Sequence, residues 1–299
     1  MCSFEWKSKL ASALLVVTMI APGRGLAQSQ ISSVEIDPQH WVSIIYVPPE
    51  NSAFQNLYDL LRERHALESI REILSPLRSP EALTIKTAEC KAINAWYRRE
   101  NFHPTVTVCY ELLKHILGSL PNEDNPDGLK PADAAVGQFF FTALHEVGHA
   151  VFDILNIPMF GHEEDAADNF ATYIMLQFGN GQAHRLIEGA AWAWRAYLGD
   201  YKRNPVVPTR LSAFAIDHGL PQERFYNMIC LAFGADHVGF ADLENYLPAS
   251  RSSHCSYEYG KLVRAFDKEI TPHIDEELAR QVLNTNWLQA LESNSSSQK

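Results

Sequence analysis

Two spacings of apolar residues divide the chain into a strand-bearing first part and a helical second part. Short runs rich in β-branched and aromatic residues predict strands: WVSIIYV (Trp41–Val47), LTIKTAEC (Leu83–Cys90), NAWYRRE (Asn94–Glu100) and TVTVCYEL (Thr105–Leu112). PPENS after the first run predicts a turn, and the polar RRENFHP between the last two predicts a loop or hairpin. Leu57, Leu60, Leu61, Leu67, Ile70 and Ile73 fall near one helical face, which predicts a helix over Ala53–Leu77. From Tyr110 the pattern turns helical, broken at PNEDNPDGLKP (Pro121–Pro131). Asp133 is the expected N-cap of a helix that runs to about Leu155 and is closed by NIP. IPMFG (Ile157–Gly161) then connects to a helix from about His162 to Phe178. Further helices are expected at Gln182–Leu198, Pro221–Phe233, Cys255–Lys268 and Asp275–Leu291. This order predicts an α+β fold: a small β-containing part (28–118) packed on a helical part (132–292). The two form one domain over 28–292, followed by a disordered tail at 293–299.

Composition changes the picture mainly at the N-terminus. With 46% hydrophobic residues the chain can bury a sizeable core, so a globular protein is expected. Residues 1–27 read as a signal peptide. Lys7 and Lys9 precede an apolar stretch, Leu10 to Ala21, that is short for a bilayer span, and small residues end it before Gln28. Cleavage is expected after Ala27; an uncleaved anchor is disfavoured because Arg24 interrupts the run. No stable membrane insertion is expected afterwards. Cleavage removes Lys7, Lys9, Arg24 and Glu5, which leaves 22 basic and 35 acidic residues, a net charge of −13. That balance, with no basic patch carrying interleaved aromatics, argues against nucleic acid as a partner.

Cysteine usage agrees with a secreted or periplasmic location. Cys2 leaves with the signal, and Cys90, Cys109, Cys230 and Cys255 remain. Four cysteines allow three pairings. The local pairs, Cys90–Cys109 and Cys230–Cys255, are the expected disulfides, since no C-x-x-C spacing supports a zinc–thiolate site.

Candidate chemistry lies in FFFTALHEVGHAVFDIL (Phe139–Leu155), where His145, Glu146 and His149 interrupt an apolar helix. Histidines four apart point the same way, one turn apart, and two neutral imidazoles on one face suit a Zn²⁺ ion. Glu146 projects beside such a metal and is placed to take a proton from a zinc-activated water and return it to the leaving amine. A third ligand is expected from GHEEDAADNFA, at the start of the next helix. Glu164 is favoured over Glu163, Asp165 and His162. Asp168 follows it by one turn, so one carboxylate can bind metal while the other accepts a hydrogen bond from a ligand histidine. A third histidine six residues after the second is ruled out, because Leu155 stands there. Glu163 and Asp165 read as the acidic first turn that a helix dipole favours.

HEVGHA followed by EDAAD resembles the gluzincin metallopeptidases, whose second motif is E-x-x-x-D; the gap, 14 residues from Ala150 to Glu163, is short, as in the compact members. AECKAINAWY, VTVCYELL, HGLPQERFYNMICLAFGAD and LPASRSSHCSYEY further resemble a bacterial metallopeptidase family catalogued as a domain of unknown function, over about Cys90 to Tyr259. The resemblance also supports the local disulfides. It implies an oxyanion donor downstream of the metal motifs, for which DHGLPQERFYN offers His218, Tyr226 and Arg224. His218 and Tyr226 are favoured, and Arg224 reads as a surface charge. By analogy with related folds, TVTVCYEL is the sheet edge expected to receive an extended substrate.

The expected function is therefore zinc-dependent hydrolysis of peptide bonds in a peptide or protein substrate. Two other classes fit the same residues: a non-catalytic binding protein with a closed zinc site, and a metal-dependent amidase acting on cell-wall peptides. A water in the fourth coordination position favours catalysis, and a protein ligand there favours a structural site. AWAWRAY (Ala191–Tyr197) reads as packing rather than a sugar platform. No pattern in the sequence indicates an oligomeric state.

Overall fold

The computed structural model describes residues 41–120, 129–198 and 217–285. The expected signal peptide, the tail at 293–299 and most of the 121–131 loop lie outside the described residues. The first strand, β1 (Val42–Tyr46), is followed by helices α1 (Gln55–Glu63) and α2 (Ala66–Leu74). Next come β2 (Leu83–Ala88), β3 (Ala95–Glu100) and β4 (His103–Cys109). The strands form one sheet in the order β1-β2-β4-β3, in which β1, β2 and β4 are parallel and β3 is antiparallel at the edge. A parallel pair needs a long crossover, and α1 and α2 supply it between β1 and β2.

The expected Ala53–Leu77 helix is two helices. His65 adopts a left-handed backbone (φ 51°) between them. The Tyr46 hydroxyl on β1 fixes the start of α2, accepting from the Leu67 N–H at 2.8 Å and donating to Glu68 at 2.6 Å. Apolar spacing runs through such a one-residue break without a mark, because both helices bury the same kind of face.

A second correction bears on function. TVTVCYEL is not a sheet edge, since β4 lies between β2 and β3 and is buried from Pro104 to Cys109. Its near-continuous β-branched run is that of a strand covered on both faces. The edges are β1 and β3, and β3 is joined to β4 by a two-residue turn in which Asn101 and Phe102 both have positive φ, as tight hairpins require.

The helical part comprises α3 (Tyr110–Ser119), α4 (Pro131–Ile154), α5 (Glu163–Gln177), α6 (Asn180–Leu198) and α7 (Pro221–Ala235). Short turns α8 (Ala241–Glu244) and α9 (Ala249–Ser252) follow, then α10 (Cys255–Glu269) and α11 (Glu276–Leu283). α11 stops short of the expected Leu291; residues from 286 onward lie outside the description. α4 begins at Pro131, so Asp133 is not its N-cap. Asp133 stands at the third helical position and accepts a 2.8 Å hydrogen bond from the Lys130 N–H. Proline at the first position loses nothing, as its missing N–H would be unpaired there anyway.

From Phe139 to Phe152 α4 is buried on nearly every face, as expected of a helix apolar all round. Its neighbours approach closely at glycines. A Cβ on Gly137 would lie 2.4 Å from the Ala190 backbone nitrogen on α6, and one on Gly189 would lie 2.2 Å from the Asp133 carbonyl oxygen. The two local disulfides form. Cys90–Cys109 ties the end of β2 to the end of β4, and Cys230–Cys255 ties α7 to α10. Among the described residues no helix is long and apolar enough to cross a membrane.

The α4–α6 contact gives a controlled test. Gly189→Ala should destabilise by about 1–3 kcal/mol or more, because the clash is with backbone that cannot rotate away. Gly118→Ala, at an exposed position of α3 with nothing within 4 Å of the added carbon, should be neutral or stabilising by up to ~1 kcal/mol. Urea unfolding of both variants measures the difference.

Candidate metal centre

The centre is built by the turn between α4 and α5. Asn156 takes a left-handed backbone (φ 51°) just past the end of α4, and the Ile157 N–H bonds back to the Phe152 carbonyl at 2.9 Å. This is a helix stop that caps α4 and reverses the chain. Gly148, inside HEVGH, lets α5 lie close: a Cβ there would be 3.2 Å from the Ala167 Cα. The first turn of α5 is thereby laid across the two histidines of α4.

Ligand atoms of His145, His149 and Glu164 all lie within 4.8 Å of one another. The two Nε2 atoms are 3.3 Å apart and sit 3.1 Å and 3.4 Å from Glu164 Oε2. Both remaining ring nitrogens are engaged: His145 Nδ1–H donates to Asp168 Oδ1 at 2.7 Å, and His149 Nδ1–H donates to Glu163 Oε1 at 2.7 Å. Carboxylates on both Nδ1 atoms leave both Nε2 atoms, whose lone pairs are free once the rings are neutral, facing one point, which Glu164 also faces. Two imidazoles and a carboxylate so oriented are a donor set that can hold a metal ion.

Glu163 therefore does more than line a favourable helix terminus. Its spacing from His149 is set by the connector, and the dipole effect alone accounts for an acid at that place, so nothing in the sequence marked the contact. Arg224 is the larger surprise. It is no surface charge: it forms a paired ion contact with Asp168, Nε to Oδ2 and Nη2 to Oδ1, each at 2.7 Å. Its guanidinium lies over the Trp194 ring, 4.9 Å from the centroid. Trp194 in turn packs edge-on to Phe141. The one available signal was that an arginine in DHGLPQERFYN begins a helix whose other face is apolar.

Electrostatics follow from burial and pairing. Burial opposes charge on the His145 ring, but hydrogen bonds to Asp168 and Glu164 outweigh it and lift its pKa to about 9. Burial would raise the Glu164 carboxyl, yet three histidines, His145, His149 and His218, hold it far below the usual carboxylate range. Asp168 is held low against burial by His145 and Arg224. Glu146 goes the other way: at 7% exposure, burial raises its pKa, and the charges of His145 and His149 only partly offset this. One buried helix thus carries a carboxyl that resists ionisation beside rings that favour protonation.

The remaining expected residues divide. His218 reaches the cluster, with Nε2 2.8 Å from Glu164 Oε2 and its ring stacked 5.7 Å from that of His145. Tyr226 is half-buried and packs against the core beside Phe225, ring centroids 5.4 Å apart. Trp194 of AWAWRAY packs on Phe141 and Arg224. The edge strand β3 passes the centre: the Tyr97 backbone meets the Glu146 carboxylate, and the Tyr97 hydroxyl and Arg99 both donate to Asp153, one turn beyond His149. Two other groups of potential ligands occur among the described residues. Cys90, Cys109 and Glu111 have their sulfurs in a disulfide, and His184 and Glu188, beside Asp242, form an ion pair within α6.

No curated protein and no solved structure gave a significant match to this chain. A family model described as "Putative metallopeptidase" (DUF4344) matches residues 46–269, which takes in β2 to β4, the candidate metal centre and α7. With three quarters of its length inside that match, the chain belongs to this metallopeptidase family.

Proposed function

We propose that the protein is a zinc-dependent peptidase that works in an oxidising compartment, secreted or periplasmic. The observation that carries this reading is the convergence of His145 Nε2, His149 Nε2 and Glu164 Oε2 while carboxylates occupy both Nδ1 atoms. His145, His149 and Glu164 would hold the ion, a three-ligand set of the kind that leaves a position open. Two disulfides support the location, since such bonds persist where thiols are not kept reduced.

When bound, zinc supplies a Lewis acid that makes a water nucleophilic near neutral pH. The rest of the chemistry belongs to the chain. Glu146, buried and reluctant to ionise, is suited to take a proton during attack and return it to the leaving amine. Asp168 fixes the His145 tautomer, and Arg224 holds Asp168 in place. His218 lies beside Glu164 with its ring exposed, and we assign it rather than Tyr226 to the developing oxyanion. The substrate backbone adds to the free edge of β3, whose Tyr97 backbone borders Glu146.

Three outcomes test this reading. Glu146→Gln should keep its metal and lose about 10²–10⁴-fold in kcat, as expected for removal of a general base; full peptide hydrolysis by that variant would sink the mechanism. Asp168→Asn should weaken metal binding by about 10–100-fold, measured by chelator competition. That variant should also be less stable, because it strips the Arg224 guanidinium of its partner. The third concerns pH. Metal needs a neutral ring, and in the metal-free protein His145 holds its proton up to about pH 9. Metal binding must expel that proton, so affinity should climb as pH rises from 6.5 toward 9. A flat profile from chelator titrations across that range contradicts the proposed ligand set.

A further inference from the structure

We infer that the cavity beside the metal centre receives a bulky apolar side chain from the substrate residue flanking the bond to be cleaved. This rests on the peptidase reading above and adds a substrate class to it. Among the described residues, a cavity of about 370 Å³ opens between α3, α6 and the start of α7. It is continuous with the centre because His218 and Arg224 form part of its wall. Its volume falls within the range of small-ligand sites, about 300–1,000 Å³.

Four features of the wall select the occupant. Leu112, Ile116 and Leu120 line one side, and Ala193 and Trp194 the other, so most of the surface is apolar. No lining residue is a carboxylate, and a lysine or arginine side chain would be desolvated there without a counter-charge. The Arg224 charge is already neutralised by Asp168, so it offers little to an acidic side chain. Gln138 also reaches the wall, and its buried Oε1 has no hydrogen-bond partner. A peptide N–H or a phenol entering with the side chain would satisfy that acceptor. Leucine and the larger aromatics match this combination of room, apolar wall and one waiting acceptor.

The experiment uses the zinc-loaded Glu146→Gln protein, which binds without turnover, beside the zinc-loaded wild type. The probes are blocked hexapeptides, identical except that each position in turn carries Phe, Leu, Ala, Asp or Lys. Calorimetry should find one position at which Phe and Leu bind at least tenfold more tightly than Ala, Asp or Lys. In the wild type that position should adjoin the cleaved bond. Ala193→Phe, which fills the cavity from α6, should abolish the selection and leave the metal content unchanged. Ile116→Trp, which fills it from α3 at a less buried residue, should do the same. Selection that survives both fillings overturns the inference, as does equal binding of all five residues at every position. The two readings fail separately. Cleavage without side-chain selection removes the pocket and leaves the peptidase, whereas selective binding with no wild-type cleavage keeps the pocket and removes the peptidase.

Discussion

The carboxylate of Asp168 is the group on which the centre depends. It is 6% exposed, and a charge so placed must be matched or it costs about 3–5 kcal/mol. Two elements match it. α4 offers the His145 ring and α7 offers the Arg224 guanidinium, so one side chain of α5 joins three helices. The same contact that stabilises Asp168 turns His145 so that its Nε2 faces Glu164. Neutralising a buried charge and aiming an imidazole nitrogen are here one interaction.

That arrangement requires α4 and α5 to be close and fixed. Gly148 permits the approach, and the left-handed Asn156 reverses the chain within a few residues. Three turns before Gly148, Gly137 lets α6 press on α4 with equal intimacy. A helix held at both places has little freedom to slide, which keeps the His145 and His149 rings in register with Glu164. Asp153 adds a tie on the sheet side, accepting from Tyr97 and Arg99, and so keeps the edge strand beside Glu146. The Cys230–Cys255 disulfide holds α7, and with it Arg224, against α10. The site's polar groups are few, but each is braced by packing that a glycine, a turn or a cross-link makes possible.

The parts legible in advance were those encoded by local spacing. His145 and His149 share a face because a helix repeats every 3.6 residues, with Glu146 turned to one side, and Glu164 and Asp168 share one for the same reason. The strands and long helices followed from apolar periodicity, with ends displaced by a few residues. The disulfides followed from cysteine count and proximity. What was misread shares one character. The break at His65 needs a single backbone torsion, Asp133 shifted by three positions from N-cap to first turn, and β4 changed from edge to interior because strand order is not written in strand sequence.

Arg224 and Glu163 show the limit most clearly. Each is a charged residue near a helix start; an acid such as Glu163 is routine there, and an arginine reads as a solvated side chain. Arg224 became part of the centre because α7 docks on α5, 56 residues away in sequence, and Glu163 because the connector turns one way and not another. The sequence by itself determined the donor set: two imidazoles at one helical offset, two carboxylates at another, and the Glu146 carboxyl between the two imidazoles. Only the tertiary structure decided which carboxylate meets which ring, which edge strand lies beside Glu146 and which cavity adjoins His218 and Arg224. Local offsets are fixed by helix geometry, whereas pairings between elements depend on the packing of glycines, turns and buried charges that no single segment contains.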